Sequence, residues 1–294
     1  MHHATLLLCG EKEGDVAGRA FTISFLASSR RYQMSKLGRK VAVIVGAGDG
    51  VGAAIGRAFA KQGLSVLLAR RPRNMAKTEA LAASITEAGG DARAMGADVR
   101  LDADVKKLFA AADELGDLEV VVHNIGGNVR RSIADTSPQV FRKVWELATH
   151  SAFLTAHAAA ERMVPAGRGV MLFSGATAAV RGSSGFAAFS SAMHGKRALA
   201  QSLASELGPK GVHVAHICID GAIDSPFVRE IACAAPGGEA RYEHALANGG
   251  LLETDAIAEQ YVNVWKQPRC AWTHELDLRP WSEPPWWSGG KARL

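Results

Sequence analysis

Gly46-Ala47-Gly48-Asp49-Gly50-Val51-Gly52 places four glycines directly after the apolar run Val41 to Val45 and directly before a segment of helical period. Glycine lets a chain turn tightly and approach a pyrophosphate, and the free N–H groups of a helix start favour negative charge. The chemistry of such a turn is phosphate binding. Its place in a first βα unit reads as a dinucleotide site rather than an empty structural turn, with Gly46, Gly48, Gly50, Val51 and Gly52 as contacts. The next apolar run ends in Leu68-Ala69-Arg70-Arg71, where an NAD site usually has an acid for the ribose hydroxyls. No acid stands at that strand end. Arg70 and Arg71 suit the planar, bidentate contact of a 2′-phosphate, so NADP(H) is expected over NAD(H); a solvated basic turn is the plainer alternative. Further along, Ser174, Thr177 and Ser190 offer hydroxyls, and His194 could titrate near neutral pH. His123 could touch a cofactor or be a packed histidine, and the spacing of His150 from His157 and of His213 from His216 suits no metal.

These residues need a frame to position them. From Lys40 onward, apolar runs alternate with helical-period segments. The runs predict strands at Val41 to Val45, Ser65 to Ala69, Ala92 to Ala97, Leu118 to His123, Val170 to Ser174 and Val212 to Ile219, with a last one at Ala271 to Leu276. Between them the periodicity predicts helices at Val51 to Lys61, Met75 to Glu87, Ala103 to Leu115, Pro138 to Met163 and Phe186 to Leu207. Such βαβ alternation means a parallel sheet with helices on both faces. The expected fold is α/β, a Rossmann-type, doubly wound, three-layer single domain over residues 34–294. Asp224 to Gly250 reads as a substrate lid whose Gly237-Gly238 and Gly249-Gly250 pairs suit a mobile loop. Residues 279–294 read as a proline-stiffened arm that packs its tryptophans on its own domain or a neighbouring subunit.

The bulk numbers agree. At 294 residues and 48% hydrophobic, the chain buries one large core. A net charge of +5, spread without a long basic run, does not indicate nucleic acid. Cys9, Cys218, Cys233 and Cys270 lack metal or disulfide spacing, which suits the cytoplasm, and no apolar run is long enough for a membrane span. Residues 1–33 read as a disordered extension or an upstream start; their basic and serine content hints at targeting, but Glu11, Glu13 and Asp15 count against a transit peptide.

Taken together, the motifs resemble the short-chain dehydrogenase/reductase superfamily. Gly46-x-x-x-Gly50-x-Gly52 is similar to its Thr-Gly-x-x-x-Gly-x-Gly turn, with Val45 at the threonine. Asp98-Val99 resembles the pair that holds adenine, and His123-Asn124-Ile125-Gly126 resembles Asn-Asn-Ala-Gly. Asp220-Gly221-Ala222-Ile223-Asp224-Ser225 stands where the family has Pro-Gly-x-Ile-x-Thr, which meets the nicotinamide amide. Ala198 to Leu207 reads like its interface helix. The resemblance spans about Lys36 to Pro280. It implies about seven parallel strands, a homodimer or homotetramer, a small-molecule substrate, and Asp98, Val99, Asn124, Gly126, Gly221, Ile223 and Ser225 as further cofactor contacts.

The family's catalytic positions depart one by one. Phe189 falls at the tyrosine, Met193 at the lysine, Ala176 at the serine and Ala148 at the asparagine. Neither Tyr242 nor Tyr261 is followed four residues later by lysine. In the family the tyrosine gives the proton, the lysine lowers its pKa and holds the ribose, and the serine polarises the carbonyl; Phe189 and Met193 can do none of this. Ser174 and Thr177, flanking Ala176, are the substitute hydroxyls. His194 should point away from the site, because one helical step turns the side chain by about 100°. Two functions are expected: an NADP-dependent oxidoreductase reducing a carbonyl or activated double bond at an atypical site, or a non-catalytic NADP(H)-binding sensor, partner subunit or scaffold. The lid's Phe227, Ile231 and Leu246 suggest a moderately apolar substrate.

Overall fold

A computed structural model describes residues 38–283. The expectations for residues 1–33 and for Trp286 and Trp287 lie outside the described residues. β1 (Lys40–Val45), β2 (Ser65–Arg70), β3 (Asp91–Gly96), β4 (Asp117–His123), β5 (Val170–Ala176), β6 (His213–Ile219) and β9 (Glu275–Leu278) form one seven-stranded sheet. Its order is β3-β2-β1-β4-β5-β6-β9, and all its pairings are parallel. β7 (Ile223–Asp224) and β8 (Leu252–Glu253) form a separate parallel pair.

The period of two along a strand decides which layer each side chain enters. On β1, Ala42 and Ile44 join one core with Ile55 and Phe59 of α1 (Val51–Lys61), Ile85 of α2 (Met75–Glu87) and Tyr261 of α9 (Thr254–Trp265). Val41, Val43 and Val45 join the opposite core with Leu108 and Phe109 of α3 (Asp102–Leu115), Met163 of α5 (Ser151–Ala166) and Leu207 of α6 (Ala187–Leu207). β1 is buried on both faces, as a central parallel strand must be. The doubly wound three-layer fold is therefore as expected, with its strand order reversing between β1 and β4.

Three local expectations are corrected. The helix expected over Pro138 to Met163 is broken: α4 (Pro138–Trp145) runs into a π turn at Glu146–His150 before α5 resumes. The last strand lies at Glu275–Leu278, not Ala271 to Leu276, because β6 pairs it from His216 onward. The segment from Asp224 to Gly250 is not a loop: it holds α7 (Pro226–Cys233) and α8 (Gly238–Ala247) between β7 and β8. Gly237, at φ +68°, is the N-cap of α8, and Gly249 and Gly250 follow its end, so the glycine pairs punctuate a helix. In the described part of the C-terminal arm, Trp281 is 87% exposed in the single chain and lies against Gly249.

Candidate functional site

The strand order reverses where β1 and β4 lie side by side, and the carboxyl ends of these strands open a crevice. The glycine turn lies on its edge. Gly46 has φ +91°, and a Cβ there would lie 2.6 Å from the Asn124 carbonyl oxygen; a Cβ on Gly52 would lie 2.2 Å from that of Gly46. These two glycines are steric requirements of the turn. Gly48 is different: its added Cβ would meet nothing nearer than the Arg70 guanidinium at 3.7 Å, so it leaves an open backbone face. α1 starts with Gly50 as N-cap, without a side-chain cap and without acid in its first turn. A Cβ-free face, an uncapped helix start and nearby arginines fit the pyrophosphate of a dinucleotide.

A cavity of about 210 Å³ continues from this turn. Gly46, Gly48, Arg70, Arg71, Asp98, Val99, Asn124 and Gly126 all line it, together with Asn74 and Leu147. Asn124 also ties β4 to the turn, its side-chain amide donating to the Gly46 carbonyl at 3.2 Å. The Asp98 carboxylate accepts from Arg100 Nε at 2.8 Å, and hydrogen bonds from Arg100 hold its carboxyl below the ordinary value. A second cavity of about 470 Å³ shares Asn124, Ile125 and Gly126 with the first and is lined by Val51, Ser174, Ala176, Phe189, Met193, Gly221, Ile223 and Phe227. Ser225 lies against the turn, 3.3 Å from where a Gly50 Cβ would be, while its hydroxyl caps α7 by accepting from the Val228 N–H. Eleven of the residues expected to bind cofactor thus line two adjoining cavities, while Gly50, Gly52 and Ser225 lie beside them without lining either.

The residues expected at the family's catalytic positions are packed side chains. Phe189 and Met193 sit on the cavity-facing side of α6 and close a small apolar core with Val144, Ala148, Ala179 and Ala192. A Cβ on Gly126 would touch the Phe189 ring edge at 3.6 Å. Ala148 is fully buried in the π turn, and Ala176 lies at the carboxyl end of β5. The spacing Tyr-x-x-x-Lys does occur at Tyr32 and Lys36, but this pair precedes β1 and lies outside the described residues.

The two substitute hydroxyls are both engaged. Ser174 Oγ lies 2.6 Å from the Tyr261 hydroxyl, which reaches through from α9, and burial pushes that phenol well above its ordinary value. Thr177 donates to Asp220 Oδ1, and Asp220 Oδ2 lies 2.5 Å from Arg279 Nη2. Thr177 and Gly221 line a third cavity of about 280 Å³ that shares Asn128, Ala176, Phe189 and Ile219 with the second. His194 is exposed and bonds the Ser190 carbonyl, so it does point away. His123 is buried and bonds Ser151 at 2.9 Å, which makes it a packed histidine. His150 stacks on Trp145, and among the described residues no cluster of metal-binding side chains forms.

Four residues were missed by sequence reasoning. Asp220 was read only as the first residue of the segment ending at Ser225 and Tyr261 only as a tyrosine without a following lysine, yet they are the partners of Thr177 and Ser174. Lys196 stands one helical turn after Met193, is fully buried, and donates to the Ile125 carbonyl at 2.7 Å. Burial takes its amine from the ordinary 10.5 down to about 7. Asp49, inside the glycine turn, pairs with Arg70 and Lys77. Asp49 carried a signal, as an acid within a phosphate-binding turn, and so did Asp220, as an acid where the family segment has proline.

Comparison with known proteins agrees with this geometry. Residues 40–234 match the family described as short chain dehydrogenase, and the chain belongs to that family. It is similar to a crystal structure of a short-chain dehydrogenase from Rhodopseudomonas palustris, at 40% identity and a TM-score of 0.69, covering 83% of this chain and 99% of that one. It is also similar to an alcohol dehydrogenase from Thermococcus sibiricus complexed with 5-hydroxy-NADP, at 26% identity and a TM-score of 0.71, covering 84% and 99%. A third similar structure is a 7 alpha-hydroxysteroid dehydrogenase complexed with NADH, at 25% identity and a TM-score of 0.73, covering 83% and 94%. No helix among the described residues is long and apolar enough to cross a membrane.

Proposed function

We propose that this chain is an NADP-dependent oxidoreductase that interconverts a small carbonyl compound, or another activated double bond, and its reduced form at an atypical active site. The observation that carries the reading is the continuous trough from Arg70 and Arg71, past the open face of Gly48, to the hydroxyl-bearing cavity under Phe227. Hydride transfer is the chemistry a nicotinamide supplies when bound there. Gly46, Gly48, Gly50 and the start of α1 would hold its pyrophosphate, Arg70 and Arg71 its 2′-phosphate, and Gly221 and Ile223 its amide end.

The chain's own groups must then manage a proton. Tyr261 is held in its protonated form, so it can donate to Ser174 and leave the Ser174 proton free to point at a carbonyl oxygen. Thr177 is committed as a donor to Asp220, so a lone pair is what it offers the cleft. In the oxidative direction, a substrate hydroxyl gives its proton to Thr177 while the Thr177 proton passes to Asp220. General acid–base catalysis contributes typically ~10²–10⁴-fold, and positioning contributes separately, so losing the tyrosine lowers the rate without removing the reaction. The apolar lining of Phe189, Met193, Phe227 and Ile231 favours a moderately apolar substrate. Exposed Phe141, Trp145 and Phe153 on α4, α5 support self-association as a homodimer or homotetramer, and the proposed setting is the cytoplasm.

The test is NADPH oxidation against ketones, quinones and imines, with wild type beside the Phe189→Tyr, Met193→Lys double variant. Wild-type turnover that the double change does not improve is the expected result. A silent wild type beside an active variant would replace this reading with that of a non-catalytic nucleotide-binding protein.

A further inference from the structure

The phosphate-binding turn holds a carboxylate at the edge of the adenosine end of the trough. Asp49 lies between Gly48 and Gly50, and its side chain is about half exposed. It accepts from Arg70 Nη1 at 2.9 Å and from Lys77 Nζ at 3.1 Å. These cations come from the end of β2 and the first turn of α2, so three separate elements converge on one ion cluster. Arg70 also lies over Gly48 and lines the cavity. Its guanidinium therefore faces Asp49 on one side and the open turn on the other. The other acid here, Asp98, is taken by Arg100. Arg71 lines the same cavity, beside Asn74.

We infer that Asp49 sets cofactor choice, competing with a 2′-phosphate for Arg70 and Lys77 and offering an unphosphorylated ribose its hydrogen-bond acceptor. The acid that β2 lacks at its end is supplied from the glycine turn. The protein accordingly takes both NADP(H) and NAD(H), with Arg71 leaving a modest margin for the phosphorylated form. This rests on the dinucleotide reading of the trough and turns its NADP(H) dependence into a modest preference for NADP(H) over NAD(H).

The size follows from charge. Unit charges about 4 Å apart in water interact by roughly 1 kcal/mol, about fivefold in an equilibrium constant. A phosphomonoester carries nearly two charges, and salt screens part of the repulsion. Asp49→Asn is therefore expected to tighten NADPH binding about tenfold and to weaken NADH binding a few-fold.

The experiment titrates wild type, Asp49→Asn and Asp49→Glu with NADPH and NADH by nucleotide fluorescence. Adenosine 2′,5′-bisphosphate and 5′-AMP, followed by calorimetry, isolate the adenosine end without any turnover. The expected result is a wild-type NADPH-to-NADH affinity ratio within about tenfold, widened in Asp49→Asn for both ligand pairs and largely restored in Asp49→Glu. Thermal melting checks that the exposed substitution leaves the fold intact. Nucleotide binding with an unchanged ratio in Asp49→Asn overturns the inference and leaves the dinucleotide reading standing. Failure of wild type to bind any of the four ligands overturns both.

Discussion

Lys196 makes stability depend on pH in a range where most domains are indifferent. Its amine is fully buried on α6, with an ordinary value of 10.5 brought down to about 7. Between these values the unfolded chain holds the proton and the folded chain does not, so stability rises with pH. The contribution is smallest below pH 7 and complete only above 10.5. The slope approaches about 1 kcal/mol per pH unit between pH 8 and 9 and fades as the unfolded amine titrates near 10.5. From pH 7 to 9 the gain is about 2 kcal/mol. The titratable groups around it do not blur this window. Burial, helped by the Lys196 charge, keeps His216 at about 4 and His123 well below its ordinary value, so both are neutral throughout. Cys218, raised from 9.0 to about 12 by burial, acts oppositely, but only from about pH 9 upward. The assay is urea denaturation at half-unit steps from pH 7 to 9, on wild type and Lys196→Met. Wild type should gain about 2 kcal/mol and the variant should stay flat. A wild-type profile that is level or falling over this range would refute the burial argument.

Two further outcomes follow from local geometry. Ser174→Ala strands the Tyr261 hydroxyl inside the core and should cost about 1–3 kcal/mol, whereas adding Tyr261→Phe should recover most of it. A double-mutant cycle of denaturation midpoints reads this, and a Ser174→Ala protein of unchanged stability would deny the hydrogen bond. Gly52→Ala puts a methyl 2.2 Å from the Gly46 carbonyl oxygen. It should abolish nucleotide binding in a fluorescence titration and lower stability by about 1–3 kcal/mol.

The layered fold was legible because its signals are local and repeated. Val41 to Val45 announces a buried strand by composition, and the glycines after it announce a turn whose sterics at Gly46 and Gly52 admit no side chain. The crevice lined by Gly46, Arg70, Asp98 and Asn124 was legible for the same reason, since these residues sit at strand ends that the alternation places side by side. What stayed hidden depends on tertiary approach. No periodicity shows that Tyr261 reaches Ser174, 87 residues earlier, or that Asp220 meets Thr177. The π turn at Glu146–His150 leaves no mark in a run that reads as plain helix. The acid that an NAD site usually carries at the end of β2 was found absent along the chain, whereas Asp49 meets Arg70 across the fold. The strand at Glu275–Leu278 was misplaced because it has half-exposed, alternating residues, and its bounds are set by β6.

The short β7–β8 pair has a consequence for how such a protein diversifies. Ile223 pairs with Leu252 and Asp224 with Glu253, so the chain leaves the main domain and returns to it at neighbouring points. Within that parenthesis α7 and α8 are tied to one another and to their base: Arg229 binds Glu243, and buried Tyr242 donates to Asp224. The insert is thereby a cassette with its own internal ties, joined to the domain through β7–β8 and touching the C-terminal arm at Trp281. It supplies Phe227, Val228 and Ile231 to the large cavity without contributing a strand to the main sheet. Its contents can be exchanged, lengthened or reshaped without altering any strand of the main sheet.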